Sequence, residues 1–257
     1  MRFDAKWYSL LHTGNPDDVD FYKNAVRDAT SVLELGCGAG RIGIPIAKNG
    51  VSVVGVDLEG SMTALYEVNL EACPPMVRER VQLVTADMRT LRLDRRFSKV
   101  IIPYNGLLCM TCERDVHRAL TTAAAHLDPG GELLFDIYDV PNDFEDHDTH
   151  DDDDYSYIAT INAEEAPVQV FEKALRRRDP RRFDAAYRYE IDKPRGKAEL
   201  VCAYTIPQRC IFKEEIPTLL DRAGFELVSM TGDFQDLPVN ENTEQLVIRA
   251  RRNDGTG

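Results

Sequence analysis

The sequence predicts a doubly wound α/β fold: a mainly parallel sheet with helices on both faces, interrupted after its fifth strand by an antiparallel β insertion. Three observations carry this expectation. Short apolar runs alternate with helical patterns through the first half of the 257-residue chain, and right-handed crossovers between such runs require parallel strands. Glycines stand at every second position in LELGCGAGR, residues 33–41, directly after the first apolar run. From Val168 to about Arg209 the apolar period is two, the mark of strands with one covered face.

The elements follow in order. Strands are expected at 31–36 (SVLELG), 51–57 (VSVVGVD), 81–87 (VQLVTAD), 99–104 (KVIIPY) and 131–138 (GELLFDIY), each short and rich in β-branched residues. Helical patterns fill 40–49, 60–72 and 112–127. After Tyr138 the composition turns acidic in DVPNDFEDHDTHDDDDY, which reads as a solvated loop. His147 and His150 lie within it, but no ordered framework there holds a metal ion, and no metal site is expected.

Three antiparallel strands are then expected, VQVFEKALRRR, FDAAYRYEID and AELVCAYTIPQR, separated by the turn signals DPRR and KPRGK. Alternation puts Tyr187, Tyr189 and Ile191 on one face and Arg188 and Glu190 on the other. The stretch FKEEIPTLLDRAGF is helical, with Gly224 as its stop and Pro217 acceptable only in the first turn. FELVSMTGDF and TEQLVIRARR close the chain as an antiparallel pair at the sheet edge. Residues 1–140 and 210–257 thus form the α/β core, and residues 141–209 an acidic loop with a β lid or substrate subdomain.

Composition narrows the function classes. With 44 acidic against 31 basic residues the formal net charge is −13, which repels phosphate backbones and argues against a nucleic-acid partner. No apolar run reaches the length of a bilayer span, and MRFDAKWYSL lacks the basic-then-apolar order of a signal peptide. A cytoplasmic protein with a small-molecule substrate and no membrane partner is therefore expected. Cys37, Cys73, Cys109, Cys112, Cys202 and Cys210 are scattered as reduced thiols are, and the one C-x-x-C lacks a second ligand pair.

The first strand ends at about Leu35 and the first helix begins at about Gly40, so Gly36, Gly38 and Gly40 form a turn at the carboxyl edge of the sheet. Ligands bind there, where strand order reverses. Glycines let a ligand lie on bare backbone, and the helix start offers unpaired N–H groups. Asp57 closes the second strand about twenty residues past the first glycine, where an acid accepts both hydroxyls of a ribose. Asp87 closes the third, placed to receive an adenine amino group while the base lies between apolar side chains such as Leu58 and Met88.

The spacing here is G-x-G-x-G, and Arg41 fills the slot of the third dinucleotide glycine. Glu34 would sit badly beside a pyrophosphate and suits an ammonium group instead. A nicotinamide dinucleotide is thereby disfavoured. A ligand with ribose, adenine and an amino-acid ammonium is S-adenosylmethionine.

At these residues the sequence resembles the class I S-adenosylmethionine-dependent methyltransferases. VLELGCGAGR, VVGVDLEGSM, TADMRTL, VIIPYNGLLCM and LDPGGELLFDIYD match in order, and LLDRAGFELVSMTGDF and EQLVIRARR look like that family's last helix and terminal strand pair. The resemblance implies a seven-stranded Rossmann-like methyltransferase sheet. It implies that Gly36, Gly38 and Gly40 bear the methionine part, Glu34 faces its ammonium, Asp57 holds the ribose, and Asp87 and Met88 frame adenine. Arg41, Leu58, Met62 and Tyr104 complete the implied cofactor set. Each residue also has a plainer reading: Asp57 and Asp87 as caps, Glu34 as a strand-end ion pair, Tyr104 as core packing.

The type most similar is the small-molecule enzyme with an antiparallel insertion, including amino-sugar and glycine or sarcosine N-methyltransferases. KWYSLLHTGNPDDVDFYKNAV is similar to their helical lead-in, with Tyr8 or Tyr22 covering the cofactor. Tyr104 and Asn105 would line the place where methyl meets acceptor. Some amino-sugar enzymes carry a histidine just after strand four; this chain has Leu108 and Cys109 there, so no base follows by analogy. His12, Tyr8, Tyr104 and His117 are the base candidates, His117 reading equally as an ordinary helix histidine.

The resulting expectation is in-line methyl transfer to a nitrogen or oxygen of a small molecule, with Tyr8, His12 and Asn105 as catalytic residues. Rival readings are a nicotinamide oxidoreductase and a non-catalytic cofactor-binding or interaction protein. The arginines at 176, 177, 178, 181 and 182 either clamp an anionic substrate or offset the acidic run. A homodimer is compatible with all of this.

Overall fold

The computed structural model describes residues 3–139, 155–163, 166–179, 181–193 and 197–253. Its elements are α1 (Ala5–Leu11), α2 (Asp18–Ala25), β1 (Ser31–Leu35), α3 (Gly43–Lys48), β2 (Ser52–Asp57), α4 (Gly60–Glu71), α5 (Pro75–Arg78), β3 (Val81–Thr85), β4 (Phe97–Ile102), α6 (Glu113–His126) and β5 (Leu127–Tyr138). β6 (Ser156–Asn162), β7 (Pro167–Arg176), β8 (Arg182–Lys193), β9 (Lys197–Arg209), α7 (Ile216–Arg222), β10 (Phe225–Gly232) and β11 (Gln245–Arg252) follow. Two compact units result, one from the described parts of 14–142 and 211–257, the other from those of 1–13 and 143–210.

The larger unit holds a seven-stranded sheet in the order β10, β11, β5, β4, β1, β2, β3. β1 pairs in parallel with both β2 and β4, so strand order reverses at β1. β11 runs antiparallel to both β5 and β10, the expected edge pair. Strand alternation divides the core into two layers. Leu33, Leu35, Val54, Val56, Val100, Ile102 and Phe135 face one way, onto Val116, Ala119, Leu120 and Ala123 of α6. Their neighbours Val32, Val53, Ile101 and Leu134 face the other way, onto Phe21 and Tyr22 of α2 and Ile46 and Ala47 of α3. Apolar residues at consecutive positions are what a sheet covered on both faces demands.

Several boundaries depart from the sequence expectation; β3, expected to be closed by Asp87, ends at Thr85. The helix expected from residue 40 starts at Gly43, because Gly40 with φ 88° still belongs to the turn. The fourth strand spans Phe97–Ile102 and stops before Pro103, which has no N–H to donate, and before Tyr104 and Asn105, whose φ of 54° and 59° are left-handed. β5 starts earlier than expected, at Leu127. Pro217 does occupy the first turn of α7, and Gly224 follows its end with φ 84°.

The smaller unit is a four-stranded antiparallel sheet in the order β6, β7, β8, β9. The sequence predicted three strands; β6 was missed because almost all of it is exposed, leaving no apolar contrast to read. Residues 3–13 belong to this unit, a correction to their assignment to the α/β core. Asp4 caps α1 by accepting from the N–H of Lys6 (2.9 Å) and Trp7 (3.2 Å). Trp7, Tyr8 and Leu11 then pack on Val168, Val170, Tyr187, Tyr189 and Tyr204, covering the sheet's apolar face. Arg177 is paired with Asp184 of the same sheet. Residues 143–154, with His147 and His150, lie outside the described residues. Among the described residues no helix is long and apolar enough to cross a membrane.

Candidate active site

The turn after β1 is held from two sides. The N–H groups of Gly36 (2.7 Å) and Cys37 (3.0 Å) donate to the Val56 carbonyl, and the Gly38 N–H donates to Asp57 Oδ2 at 2.8 Å. Asp57 Oδ1 accepts from the Glu59 N–H at 2.9 Å, so one carboxylate joins the glycine turn to the start of α4. Burial raises the Asp57 pKa, and the Glu59 and Gly38 N–H groups oppose the rise. From below, Asn69 Nδ2 of α4 donates to the Ala39 carbonyl at 2.9 Å. A Cβ at Gly40 would overlap the Tyr66 ring of α4, so what crowds the backbone there is a side chain of the protein itself. Nothing lies within 4 Å of the corresponding position at Gly38, whose face is open.

Glu34 is 1% exposed, and its Oε2 has no hydrogen-bond partner among the described residues. It points toward Gly43 and the Tyr66 hydroxyl, which is likewise unpartnered. Burial pushes the Glu34 carboxyl up to about 8, with Arg41 opposing and Asp57 adding to the rise. An unsatisfied buried carboxyl is costly and is satisfied by a cation or donor arriving from outside. The ion-pair alternative for Glu34 is therefore absent among the described residues.

The other expected cofactor residues divide. Leu58 is 60% exposed at the end of β2, Met62 is buried in α4, and Met88 is half-buried with its methyl near Gly36. Asp87 is turned onto Arg89: Nε lies 2.9 Å from both oxygens and Nη2 2.6 Å from Oδ2, while Nη1 bonds Asp115 of α6 at 2.7 Å. This fork holds the Asp87 carboxyl below the usual carboxylate range.

Beyond β4, Tyr104 and Asn105 form two successive left-handed residues, a conformation that costs energy for any side chain with a Cβ. Asp136 of β5 holds them: its Oδ1 accepts from the Tyr104 N–H (2.8 Å) and its Oδ2 from the Asn105 N–H (3.2 Å). Tyr22, fully buried, donates its hydroxyl to Asp136 Oδ1 at 2.6 Å. Of the two tyrosines the sequence offered as a cofactor cover, Tyr22 is thus committed to the frame of the site. Arg41 lies over the Tyr104 ring, 5.0 Å from its centre, and bonds Asp18 of α2 at 2.8 Å. Asp136, Asp18, Tyr66 and Arg89 escaped the sequence reading; the acid inside the apolar run LLFDIY was the one visible signal.

Tyr8 and His12 belong to the smaller unit. Their rings stack with centres 4.2 Å apart, and His12 meets Tyr187 edge-on at 5.0 Å. His12 Nε2 lies 3.3 Å from the Tyr204 hydroxyl, which bonds the Tyr189 hydroxyl at 2.7 Å. Burial pulls the His12 imidazole down to about 4, so it is neutral at physiological pH. His117, by contrast, is an exposed residue of α6.

The donor set fits S-adenosylmethionine: an unpartnered buried carboxyl, an open glycine face and an acid at the next strand tip suit its ammonium, its aminobutyryl chain and its ribose. A family profile described as "Methyltransferase domain" matches residues 32–131. A protein of Geobacillus sp. (strain WCH70), provisionally named a methyltransferase, is 27% identical over 96% of this chain and 98% of its own length. The dTDP-3-amino-3,4,6-trideoxy-alpha-D-glucopyranose N,N-dimethyltransferase of Streptomyces venezuelae is 26% identical over 55% of this chain and 60% of its own. The structure of CalS10, an amino pentose methyltransferase from Micromonospora echinaspora with S-adenosylmethionine bound, is similar with a TM-score of 0.71 at 21% identity, covering 98% of each chain. With that domain over residues 32–131 on this seven-stranded sheet, the chain is an S-adenosylmethionine-dependent methyltransferase and takes S-adenosylmethionine as its cofactor.

Proposed function

We propose that this enzyme methylates an amine nitrogen of a small metabolite, of the amino-sugar class. The observation that carries the reading is the pair of left-handed residues after β4, Tyr104 and Asn105, held beside Arg41 at the end of the strand next to the glycine turn. S-adenosylmethionine supplies a sulfonium-activated methyl group. The residues have only to align the acceptor lone pair and exclude water. Glu34 pairs with the cofactor ammonium, Gly38 gives its open face to the aminobutyryl chain, Asp57 takes the ribose, and Leu58, Met62, Asp87 and Met88 surround adenine. Asn105 and Tyr104 bound the acceptor.

An unprotonated amine needs no base in the transfer step, whereas a hydroxyl acceptor needs one far more often. The Streptomyces and Micromonospora relatives, named for amino-sugar and amino-pentose substrates, support the same class.

The test combines calorimetric titration with S-adenosylhomocysteine and NADH, and turnover of labelled S-adenosylmethionine with matched amino and hydroxy sugar nucleotides. Binding of the first ligand only, with label passing to the amino compounds, is expected. Label on the hydroxy compounds alone would overturn the nitrogen assignment. Cofactor binding without any labelled product would favour the non-catalytic reading.

A further inference from the structure

Asp136 sits in the middle of β5 between Phe135 and Ile137, with no exposed surface at all. A carboxylate so placed lowers the stability of an apolar strand unless its bonds serve something else. Three donors converge on it from two separate segments: the Tyr22 hydroxyl of α2, and the N–H groups of Tyr104 and Asn105. Asn105 completes the attachment by accepting from the Tyr138 N–H at 2.7 Å, so the turn is fastened to β5 at two positions.

We propose that Asp136 is a positioning residue for methyl transfer, whose carboxylate locks the Tyr104–Asn105 turn in its left-handed form and thereby sets where the acceptor stands. This rests on the reading of that turn as the acceptor boundary. Only an acid meets the requirement. Both oxygens must accept, and an amide in its place would turn an N–H toward one of the donors. The titratable and charged groups facing it are Tyr22 and Asp18 of α2, with Arg41 bound to Asp18. Burial lifts the Asp136 carboxyl to about 6, and the bonds from Tyr22, Tyr104 and Asn105 restrain the rise. The lock is therefore formed at neutral pH and weakens in mild acid.

The experiment compares the wild type with D136N and Y22F. Amide exchange at Tyr104 and Asn105, S-adenosylhomocysteine affinity, and kcat and KM against pH are measured. In D136N the two amides should exchange at least about tenfold faster. Its kcat should fall about 100-fold, as a misplacement of about 1 Å would cause. Cofactor affinity should stay within about threefold. In Y22F, loss of a bond to the ionised form should move the acid limb of kcat to higher pH.

Unchanged exchange and kcat in D136N would overturn the proposal, as would cofactor affinity falling in step with kcat. Should D136N fail to fold, Y22F decides by its exchange and its acid limb, and an unmoved limb overturns the proposal. A wild type that methylates no amine would sink the functional reading, while exchange at Tyr104 and Asn105 still tests the lock.

Discussion

Glu34 shows how much a single side chain can state. In an apolar strand, 1% exposed and with one oxygen unpartnered, it prefers to be uncharged. Its pKa is raised by burial from the ordinary 4.5 to about 8, so its stabilising effect is full below the unfolded value and is lost as pH rises through the folded one. E34Q should remove that dependence. Urea unfolding at about pH 5 and about pH 8.5 should show the wild type losing on the order of a few kcal/mol relative to E34Q across this window. Parallel behaviour of the two proteins would mean that Glu34 is charged throughout. Gly40 is a second case of residue-scale logic: its φ of 88° and the Tyr66 ring beneath it both exclude a side chain.

Among elements, α4 and α6 do most to support the candidate site. α4 supports the glycine turn through Tyr66 and Asn69 and ties to β3 through Thr63 and Thr85, whose hydroxyls are 2.9 Å apart. α6 is joined to the segment after β3 by Arg89, which spans Asp87 and Asp115. R89M should cost about 1–3 kcal/mol at neutral pH by leaving both carboxylates without their main partner. Both carboxyls titrate below their ordinary value because of Arg89, so their contribution is present above that value and is lost as pH falls through the folded ones. The gap between wild type and R89M should therefore close below about pH 4, measured by thermal unfolding across the acid range. A gap that persists in acid would assign the loss to packing.

These elements were legible to different degrees. The core helices and strands announced themselves because burial on one or two faces imposes a period on the sequence. β6 did not, since an exposed strand imposes none. The start of α3 and the end of β4 were misplaced by residues whose left-handed φ is a property of local packing.

For the whole molecule, the residues proposed to hold the cofactor, Glu34, Gly38, Asp57 and Met88, all lie in the larger unit, on elements with a continuous core on both faces of the sheet. Ligand binding should thus act as added folding stability. S-adenosylhomocysteine at a hundred times its Kd should stabilise the protein by about 2.7 kcal/mol and raise the unfolding midpoint accordingly. D57N, which weakens the join between the glycine turn and α4, should show a smaller rise at the same concentration. An equal rise would remove Asp57 from the cofactor site.

Taken alone, the sequence determined the order of strands and helices, the glycine turn, the acids at the strand tips and the kind of cofactor. Those depend on periodicity and on short spacings that local geometry translates directly. Tertiary structure alone decided that Asp87 is held by Arg89, that Tyr22 and Asp136 share a proton-bearing bond, and that Glu34 is left with an unpaired oxygen. Tyr22 and Asp136 are 114 positions apart, and no local rule brings such residues together. The two-layer packing of the sheet does so, and burial then sets their charge.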